Sequence, residues 1–361
     1  MGRSGLRVTG TTMRRAPHRS RLALAGLLLA PVLFAQEEPT IHVDVRLVRV
    51  LATVKDATGA PVGSLEKSGF EIRDNGAVQQ ISVFERQTDQ PLSVAVLIDN
   101  SGSTAKDLKY ETDSVSRFFR AVLREGNPAD TVGLYSFNYQ VVKQNGFTRN
   151  TQALERSLRG LRGEAGTSLY DAVLLASRDI EDREGRKILV VVTDGGDTTS
   201  HSDFQRAIEA AQLADAVIYP ILVVPITNDA GRNTGGENAL TTMALRTGGR
   251  VFQPSLGSDM DKAFDQIIRD LRTQYLLGFY PKGVPLTKDR FHTLQLTVQD
   301  PALHVVSRSG YYGEALQDSA AQPPATGRIN VGPGDETLRQ RKPQPATKST
   351  GPANKSKIYQ D

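Results

Sequence analysis

The sequence predicts an α/β fold in which a doubly wound, mostly parallel sheet is joined to an accessory β-rich unit built from the flanking segments. Two uninterrupted apolar runs, 94–98 and 188–192, indicate strands that are buried on both faces. Apolar residues between and after these runs recur at helical spacing, and strands alternating with such helices are typical of a parallel sheet covered on both faces. The flanking segments follow a period of two, which indicates strands with one buried face.

Residues 1–35 have the pattern of a secretory signal peptide. A basic stretch precedes an apolar run at 22–34, and the small Ala35 stands before an acidic mature start. The run is too short to span a bilayer comfortably. Leu33, three positions before the predicted cleavage site, is less typical than alanine, so an uncleaved N-terminal anchor is the alternative. We expect an exported protein, in the periplasm or the medium, with no membrane span after signal cleavage.

Residues 40–88 are predicted to form the first β-rich segment. Strong alternation from Ile41 to Lys55 indicates one long strand, or two strands separated by a bulge. A short strand then leads into a turn at Asn75-Gly76, and residues 80–85 are predicted to be the returning strand of that hairpin. The segment contains no cluster of reactive side chains.

Residues 91–272 are predicted to form the α/β domain. In an open parallel sheet, ligands bind beyond the carboxyl ends of the strands, where the strand order reverses. With the order 3-2-1-4-5-6, the strands that end at Asp99 and Asp194 become neighbours. The predicted elements are strand 92–98, helix 108–122, strand 130–137, a weak edge strand at 141–142, helices 154–161 and 169–180, strand 187–194, helix 204–211, strand 217–224, helix 240–245, strand 250–252 and helix 260–271.

Residues 273–312 are predicted to form a second β segment, with strands near 275–280, 291–298 and 304–312. Neither β segment has enough strands to bury a face by itself, so we expect this one to pair with residues 40–88 in one discontinuous unit. Residues 313–361 are dominated by Pro, Gly, Gln, Ser, Thr and Lys, a composition that predicts a disordered tail.

The charge distribution argues against a nucleic-acid partner. The formal net charge is +4, but six of the 44 basic residues and none of the 40 acidic residues lie in residues 1–35. The net charge from Gln36 onward is therefore −2. The chain has no cysteine, which excludes disulfides, thiolate metal sites and catalytic thiols.

Five oxygen-bearing residues follow or precede predicted elements in a suggestive order. Asp99, Ser101 and Ser103 come directly after the first buried strand, Thr167 lies in a glycine-bearing loop before a helix, and Asp194 ends the second buried strand. A hard divalent cation such as Mg²⁺ prefers oxygen ligands and takes only a few from the protein. The Asp-x-Ser-x-Ser motif alone is equally typical of a polar turn, but three elements in order favour a metal site.

This ordered set resembles the metal-ion-dependent adhesion site (MIDAS) of von Willebrand factor type A (VWFA) domains. A broader likeness, from about Ile41 to Tyr312, is to VWFA-related proteins of the acidobacterial type. The segments that carry it are Phe70-Glu71-Ile72, Asp74-Asn75-Gly76, Pro91-Leu92-Ser93-Val94, 166–172, Gly185-Arg186-Lys187, Thr247-Gly248-Gly249-Arg250 and 275–281.

The resemblance implies a Rossmann-like A domain, an export signal and a divalent cation, Mg²⁺ with Mn²⁺ as the alternative. By position, Ser101, Ser103 and Thr167 would offer hydroxyl oxygens, while Asp99 and Asp194 would act directly or through water. Two carboxylates leave the ion able to attract another anion. An Asp or Glu side chain of a partner protein would fill the open position, which makes binding metal-dependent and charge-assisted.

Three functions are compatible with these residues. The leading hypothesis is an exported, non-catalytic module that binds a partner protein. A metal-dependent hydrolase of phosphate or ester substrates would need a general base, and His201, the histidine nearest the motif, is more typical of an exposed loop. A structural envelope component with an empty site is the third. For Asp197, a solvated loop acid is favoured over an additional acid beside the metal.

Overall fold

A computed structural model describes residues 47–86, 90–102, 104, 108–223, 234–255, 257–284 and 290–313. The predicted signal peptide, the predicted tail from residue 314 and Ser103 lie outside the described residues. The helices are α1 Leu108–Glu125, α2 Thr151–Gly160, α3 Leu169–Glu181, α4 Phe204–Leu213, α5 Thr234–Thr247 and α6 Ser258–Thr273. The strands are β1 Val48–Lys55, β2 Phe70–Asp74, β3 Ala77–Gln79, β4 Ile81–Glu85, β5 Leu92–Asp99, β6 Thr131–Phe137, β7 Val141–Thr148, β8 Arg186–Thr193, β9 Ala216–Leu222, β10 Tyr275–Phe279, β11 Phe291–Val298, β12 His304–Ser307 and β13 Gly310–Tyr312.

A five-stranded sheet in the order β7-β6-β5-β8-β9 forms the centre of the α/β domain. Strands β6, β5, β8 and β9 run parallel, and β7 is antiparallel to β6. Every residue of β5 is buried, as its uninterrupted apolar run predicts. The predicted adjacency of β5 and β8 is confirmed, with Leu92 opposite Arg186 and Ile98 opposite Val192. Their carboxyl ends therefore meet at one edge of the sheet.

Alternate residues of β5 supply the cores on the two faces of this sheet. Val94, Val96 and Ile98 belong to the core that α1, α2 and α6 cover. Ala95 and Leu97 belong to the core that α3, α4 and α5 cover. The doubly wound, mostly parallel α/β fold predicted from the sequence is confirmed.

Two peripheral strands differ from their predictions. Strand β7 spans eight residues rather than the predicted two. Its residues are half-buried or exposed, a pattern that an edge strand tolerates but that does not indicate a strand in the sequence. Residues 250–252 were predicted to be a strand, but they form only a single parallel bridge, between Phe252 and Ile221. Their backbone contacts remain strand-like, since the Phe252 amide donates to Pro220 O at 2.9 Å.

The flanking segments form two four-stranded antiparallel sheets, ordered β12-β1-β10-β4 and β13-β11-β2-β3. Strand β1 pairs with β10 and β2 pairs with β11, so residues from both flanks build each sheet. Apolar side chains from both sheets share one core, including Val50, Ile72, Leu277 and Leu296. The accessory β-rich unit is thus assembled from segments on either side of the α/β domain.

The predicted partner of the 70–74 strand was wrong. Strand β2 pairs across the Asn75-Gly76 turn with the short β3, and Asp74 lies opposite Ala77. Strand β4 instead pairs with β10 in the other sheet. The two-residue turn brings residue 77 directly into register, and the chain changes sheet at Gln80, where the strand is interrupted.

A buried polar cluster connects three strands of one of these sheets. The Asp74 carboxylate lies 3.0 Å from His292 Nδ1 and accepts a hydrogen bond of 2.7 Å from the Tyr311 hydroxyl. All three residues are buried, and the rings of His292 and Tyr311 stack with centroids 4.7 Å apart. The cluster ties β2, β11 and the last described strand, β13, together.

We predict that Asp74→Ala lowers the free energy of unfolding by about 3 kcal/mol, because it leaves buried polar groups without their acceptor. Glu71→Ala is the matched control, since Glu71 lies on the same strand with its side chain 46% exposed. Urea denaturation followed by circular dichroism measures both. Equal unfolding midpoints for the two variants would contradict a stabilising role for the cluster.

Candidate metal centre

Three loops meet beyond the carboxyl ends of β5 and β8. The first, residues 99–104, leaves the end of β5; the second, 163–168, precedes α3; the third, 194–203, follows β8. In a parallel sheet the ends of adjacent strands share an edge, so the first and third loops are brought together by the strand order alone. The second loop reaches them through backbone hydrogen bonds.

Asp99 is fully buried and bridges the ends of the two central strands. Its Oδ1 accepts the Ser101 amide at 2.8 Å, and its Oδ2 accepts the Thr193 hydroxyl at 2.6 Å. The pKa of Asp99 is raised to about 6, because desolvation and, to a smaller extent, the charge of Asp194 outweigh these hydrogen bonds. No basic side chain forms an ion pair with Asp99 in the described part of the chain.

The second loop is attached to the first by its backbone. The Glu164 amide donates to Asn100 O at 3.0 Å, and Ser101 and Glu164 form a parallel bridge. The Asn100 side chain donates to Arg162 O at 2.6 Å. Ser168 N in turn donates to Asn138 O at 2.6 Å, which fixes the loop to the end of β6 as well.

The third loop is attached to the second at Thr167. The Thr167 amide donates to the Thr198 hydroxyl at 3.0 Å, and Thr167 O accepts the amides of Thr198 and Thr199 at 2.8 and 3.2 Å. Because these bonds use the Thr167 backbone, its hydroxyl takes no part in holding the loops together. Ser101 and Thr167 are both buried, and Asp194 is half-buried.

A close backbone contact fixes the start of the third loop. Gly195 has a φ of +103°, in the region that favours glycine. A Cβ at Gly236, in the first turn of α5, would lie 1.2 Å from Gly195 O, so no side chain fits there. Gly235 and Gly236 therefore belong to a helix whose first turn packs on the start of the third loop.

Asp99, Ser101, Thr167 and Asp194 thus belong to loops that converge at one edge of the sheet, whereas Ser103 lies outside the described residues. Sequence reasoning missed Thr193, whose hydroxyl donates to Asp99 and accepts the Gly195 amide at 3.1 Å. A threonine ending an otherwise aliphatic run is the signal that could have found it. The second missed group, the Thr198 hydroxyl, has no comparable signal in the local pattern.

Two further residues near the motif have defined positions. Asp197 Oδ1 accepts the Tyr170 amide at 3.1 Å and the Ser200 hydroxyl at 2.5 Å, so this acid caps the first turn of α3 rather than being a solvated loop acid. His201 has a side chain that is 95% exposed, as expected for a loop histidine, and its Nδ1 lies 3.4 Å from Asp171 Oδ2.

The donor set suits a hard cation. Carboxylate and hydroxyl oxygens are ligands of Mg²⁺ and Mn²⁺, whereas zinc sites typically use Cys and His. No group of three or more His, Cys, Asp or Glu side chains suited to a metal ion occurs among the described residues. A cation beside Asp99 would also supply the positive charge that this buried carboxylate lacks within the protein.

Comparison with known proteins identifies the domain that carries these loops. Residues 94–196 match the family model described as the von Willebrand factor type A domain. This range begins in β5, includes all three loops at least in part, and ends just beyond Asp194. A search of curated proteins found no match.

Several solved structures are similar to the chain at low identity. An aerotolerance-related membrane protein from Bacteroides fragilis is 20% identical over 50% of this chain and 98% of its own, with a TM-score of 0.40. The vWF domain of the type V pili tip protein Mfa5 from Porphyromonas gingivalis is 16% identical over 49% of this chain and 94% of its own, with a TM-score of 0.42. BatB from Bacteroides thetaiotaomicron is 21% identical over 50% of this chain and 98% of its own, with a TM-score of 0.40. Residues 94–196 of the α/β domain thus match the von Willebrand factor type A family model, and the segments that flank this domain form the β-rich unit.

Proposed function

We propose that the chain is an exported, non-catalytic protein that binds a partner protein through a divalent cation at a MIDAS-type site. The cation is Mg²⁺, with Mn²⁺ as the alternative, and its ligands are Asp99, Ser101, Ser103, Thr167 and Asp194. The partner presents an Asp or Glu side chain to the open coordination position. Export rests on the leader pattern of residues 1–35. In the described part of the chain, no helix is both long and apolar enough to span a bilayer.

The main support is a buried carboxylate without a counter-charge, at the point where three loops converge. Asp99 has a raised pKa and an acidic neighbour, Asp194, so its ionised form is costly in the metal-free protein. A cation at this point would offset that cost. The supporting hydroxyls of Ser101 and Thr167 are neutral, so the protein supplies at most two negative charges to a divalent ion.

A carboxylate from a partner is the ligand that this charge balance favours. Hydroxyl ligands leave the cation a strong Lewis acid, and a carboxylate at the open position forms a charge-assisted contact. A neutral partner group would gain less from the same position. The site therefore selects an acidic side chain, and the interaction depends on the metal.

Among the described residues, the histidines offer the hydrolase alternative no well-placed base. His201 is held at the loop by its backbone amide, which donates to Asp171 at 2.9 Å, and its ring is almost fully exposed. His292 and His304 lie in the β-rich unit. A general base must be within hydrogen-bond reach of the water or group that it deprotonates, directly or through one water.

We predict that Asp99→Asn and Asp194→Asn abolish Mg²⁺ binding measured by isothermal titration calorimetry. Thr167→Val should weaken binding about tenfold, because it removes one hydroxyl ligand and keeps the backbone bonds to Thr198. Ser103→Ala tests the ligand outside the described residues. Asp182→Asn, an exposed acid at the far end of α3, is the matched control. Unchanged heats in all these variants would contradict the metal site.

We predict a characteristic pH dependence of stability in chelator. The folded protein holds the Asp99 proton more tightly than the unfolded chain, so the resulting stabilisation is complete below pH 4 and is lost as pH rises through about 6. The shift from 3.8 to about 6 corresponds to about 3 kcal/mol. Asp99→Asn has no carboxyl group to titrate at this position. The free energy of unfolding of the variant, minus that of the wild type, should therefore increase over that pH range.

Urea denaturation of both proteins at pH 4 and pH 7.5 measures this difference, and the comparison cancels other titrating groups. Saturating Mg²⁺ at pH 7.5 should stabilise the wild type and leave Asp99→Asn unchanged. An identical pH dependence of the two proteins in chelator would show that Asp99 is not a strained buried acid.

We predict that the immobilised protein captures a partner from exported proteins of the producing cell in Mg²⁺ and releases it in EDTA. Asp194→Asn should capture nothing, and one Asp or Glu→Ala change in the partner should remove capture by the wild type. Capture that EDTA does not affect would contradict metal-dependent binding. Turnover of phosphate or ester substrates that disappears in Asp99→Ala would support the hydrolase instead.

A further inference from the structure

An open groove of about 430 Å³ adjoins the candidate metal centre. One wall is α3, and the other is the turn between β6 and β7 together with the start of β7. Among its lining residues are Tyr139, Leu174 and Leu175, whose apolar surface faces the opening, and Arg178. Tyr139 is 50% exposed, so its ring is accessible to a ligand in the groove.

The groove adjoins one loop of the candidate metal centre. Ser168 lines the groove and directly follows Thr167, one of the proposed ligands. Its hydroxyl donates to Tyr139 O at 3.1 Å, which holds the β6–β7 turn against the same loop. Gly166 packs so closely on this turn that a Cβ there would lie 2.8 Å from the Cβ of Tyr139. The groove therefore begins one residue along the chain from a proposed metal ligand.

The helix sets the spacing of the groove. Lining positions 168, 171, 174, 175 and 178 fall on one face of α3, at intervals of three or four residues. With a rise of 1.5 Å per residue, Leu174 and Leu175 lie about 10 Å from Ser168, and Arg178 lies about 15 Å from it. An extended peptide rises about 3.3 Å per residue. About three residues of a bound segment reach the leucines, and about four or five reach Arg178.

One charged group of the groove, Arg178, is placed to meet an acidic side chain of a partner. Asp171 is already satisfied, since its oxygens accept the backbone amides of His201 and Ser202, each at 2.9 Å. It is therefore a poor acceptor for a partner's cation. Arg178 is exposed and forms no ion pair with any other described residue. Its guanidinium is free to meet a carboxylate at the far end of the groove.

We propose that this groove binds an extended segment of the partner with a defined pattern, which rests on the proposed function of the metal centre. An Asp or Glu binds the cation, a large apolar side chain about three residues away packs between Tyr139 and Leu174, and a second acidic side chain about four or five residues away meets Arg178. The metal requires an acidic side chain in the partner, and the groove selects the residues that follow it.

The test is selection from a random decapeptide library displayed on phage, with the purified protein expressed with its own leader as bait. Binding is carried out in Mg²⁺ and elution in EDTA. The wild type should enrich peptides with an acid, an apolar residue about three positions away and a second acid beyond it. Arg178→Glu should shift that last position to Lys or Arg, and should bind the wild-type peptide about threefold to tenfold more weakly.

Leu174→Gln should keep the metal-bound acid and lose the apolar preference, with about a tenfold lower affinity. Arg156→Glu, an exposed arginine of α2 outside the groove, is the matched control and should select the wild-type pattern. Thermal unfolding midpoints identify a variant that fails to fold, and Arg178→Glu then remains decisive because its side chain is exposed.

Two outcomes separate the groove from the metal centre. Enrichment of one acidic residue with no fixed apolar or second acidic position would overturn the groove and leave the metal centre intact. No Mg²⁺-dependent enrichment at all would overturn the proposed function and the groove with it. Selection of the same pattern by Arg178→Glu would show that the second acid is not recognised by Arg178.

Discussion

The candidate site depends on a single buried carboxylate. Asp99 ends the central strand of the sheet, is fully buried, and lies between the Ser101 amide and the Thr193 hydroxyl. A charge in such a position is stable only if nearby dipoles or a cation offset its lost hydration. The Ser101 amide and the Thr193 hydroxyl supply such dipoles, and the proposed cation would offset the remaining cost. Because Thr193 ends β8, its bond to Asp99 requires β5 and β8 to be neighbours.

The three loops of the candidate site are held by their backbones, whereas the groove beside them is formed by side chains. Backbone bonds among the three loops, and the contact between Gly195 and Gly236, fix the backbone at the described ligand positions Asp99, Ser101, Thr167 and Asp194. The groove beside them is lined by side chains on the exposed face of one helix and one turn. Substitutions there change shape and charge without disturbing the loop backbone, so recognition can be tuned independently of metal binding.

The strands that burial marks with a long apolar run could be predicted from the sequence. The partners of strands and loops that are far apart in the chain could not. Strands β5 and β8 were predictable because burial on both faces leaves an uninterrupted apolar run, and the five proposed ligands were predicted because they follow such runs or precede a helix. The sheet change at Gln80 was missed because the polarity of strands does not identify their partners. Thr198 was missed since its bond to Thr167 spans 31 positions.

The β-rich unit contacts the α/β domain near both ends of the central strands. Arg308 of the β-rich unit pairs with Asp215, just before β9. Lys55 of β1 forms a buried ion pair of 3.1 Å with Asp270 near the end of α6. These two contacts lie on the side where the strands begin. On the other side, the side-chain amide of Gln205 in the first turn of α4, which follows the third loop, lies 3.5 Å from the Tyr312 hydroxyl of β13. The flanking segments therefore brace the domain at both ends, and a buried pair such as Lys55 and Asp270 holds them in one orientation because separating it would leave an uncompensated charge.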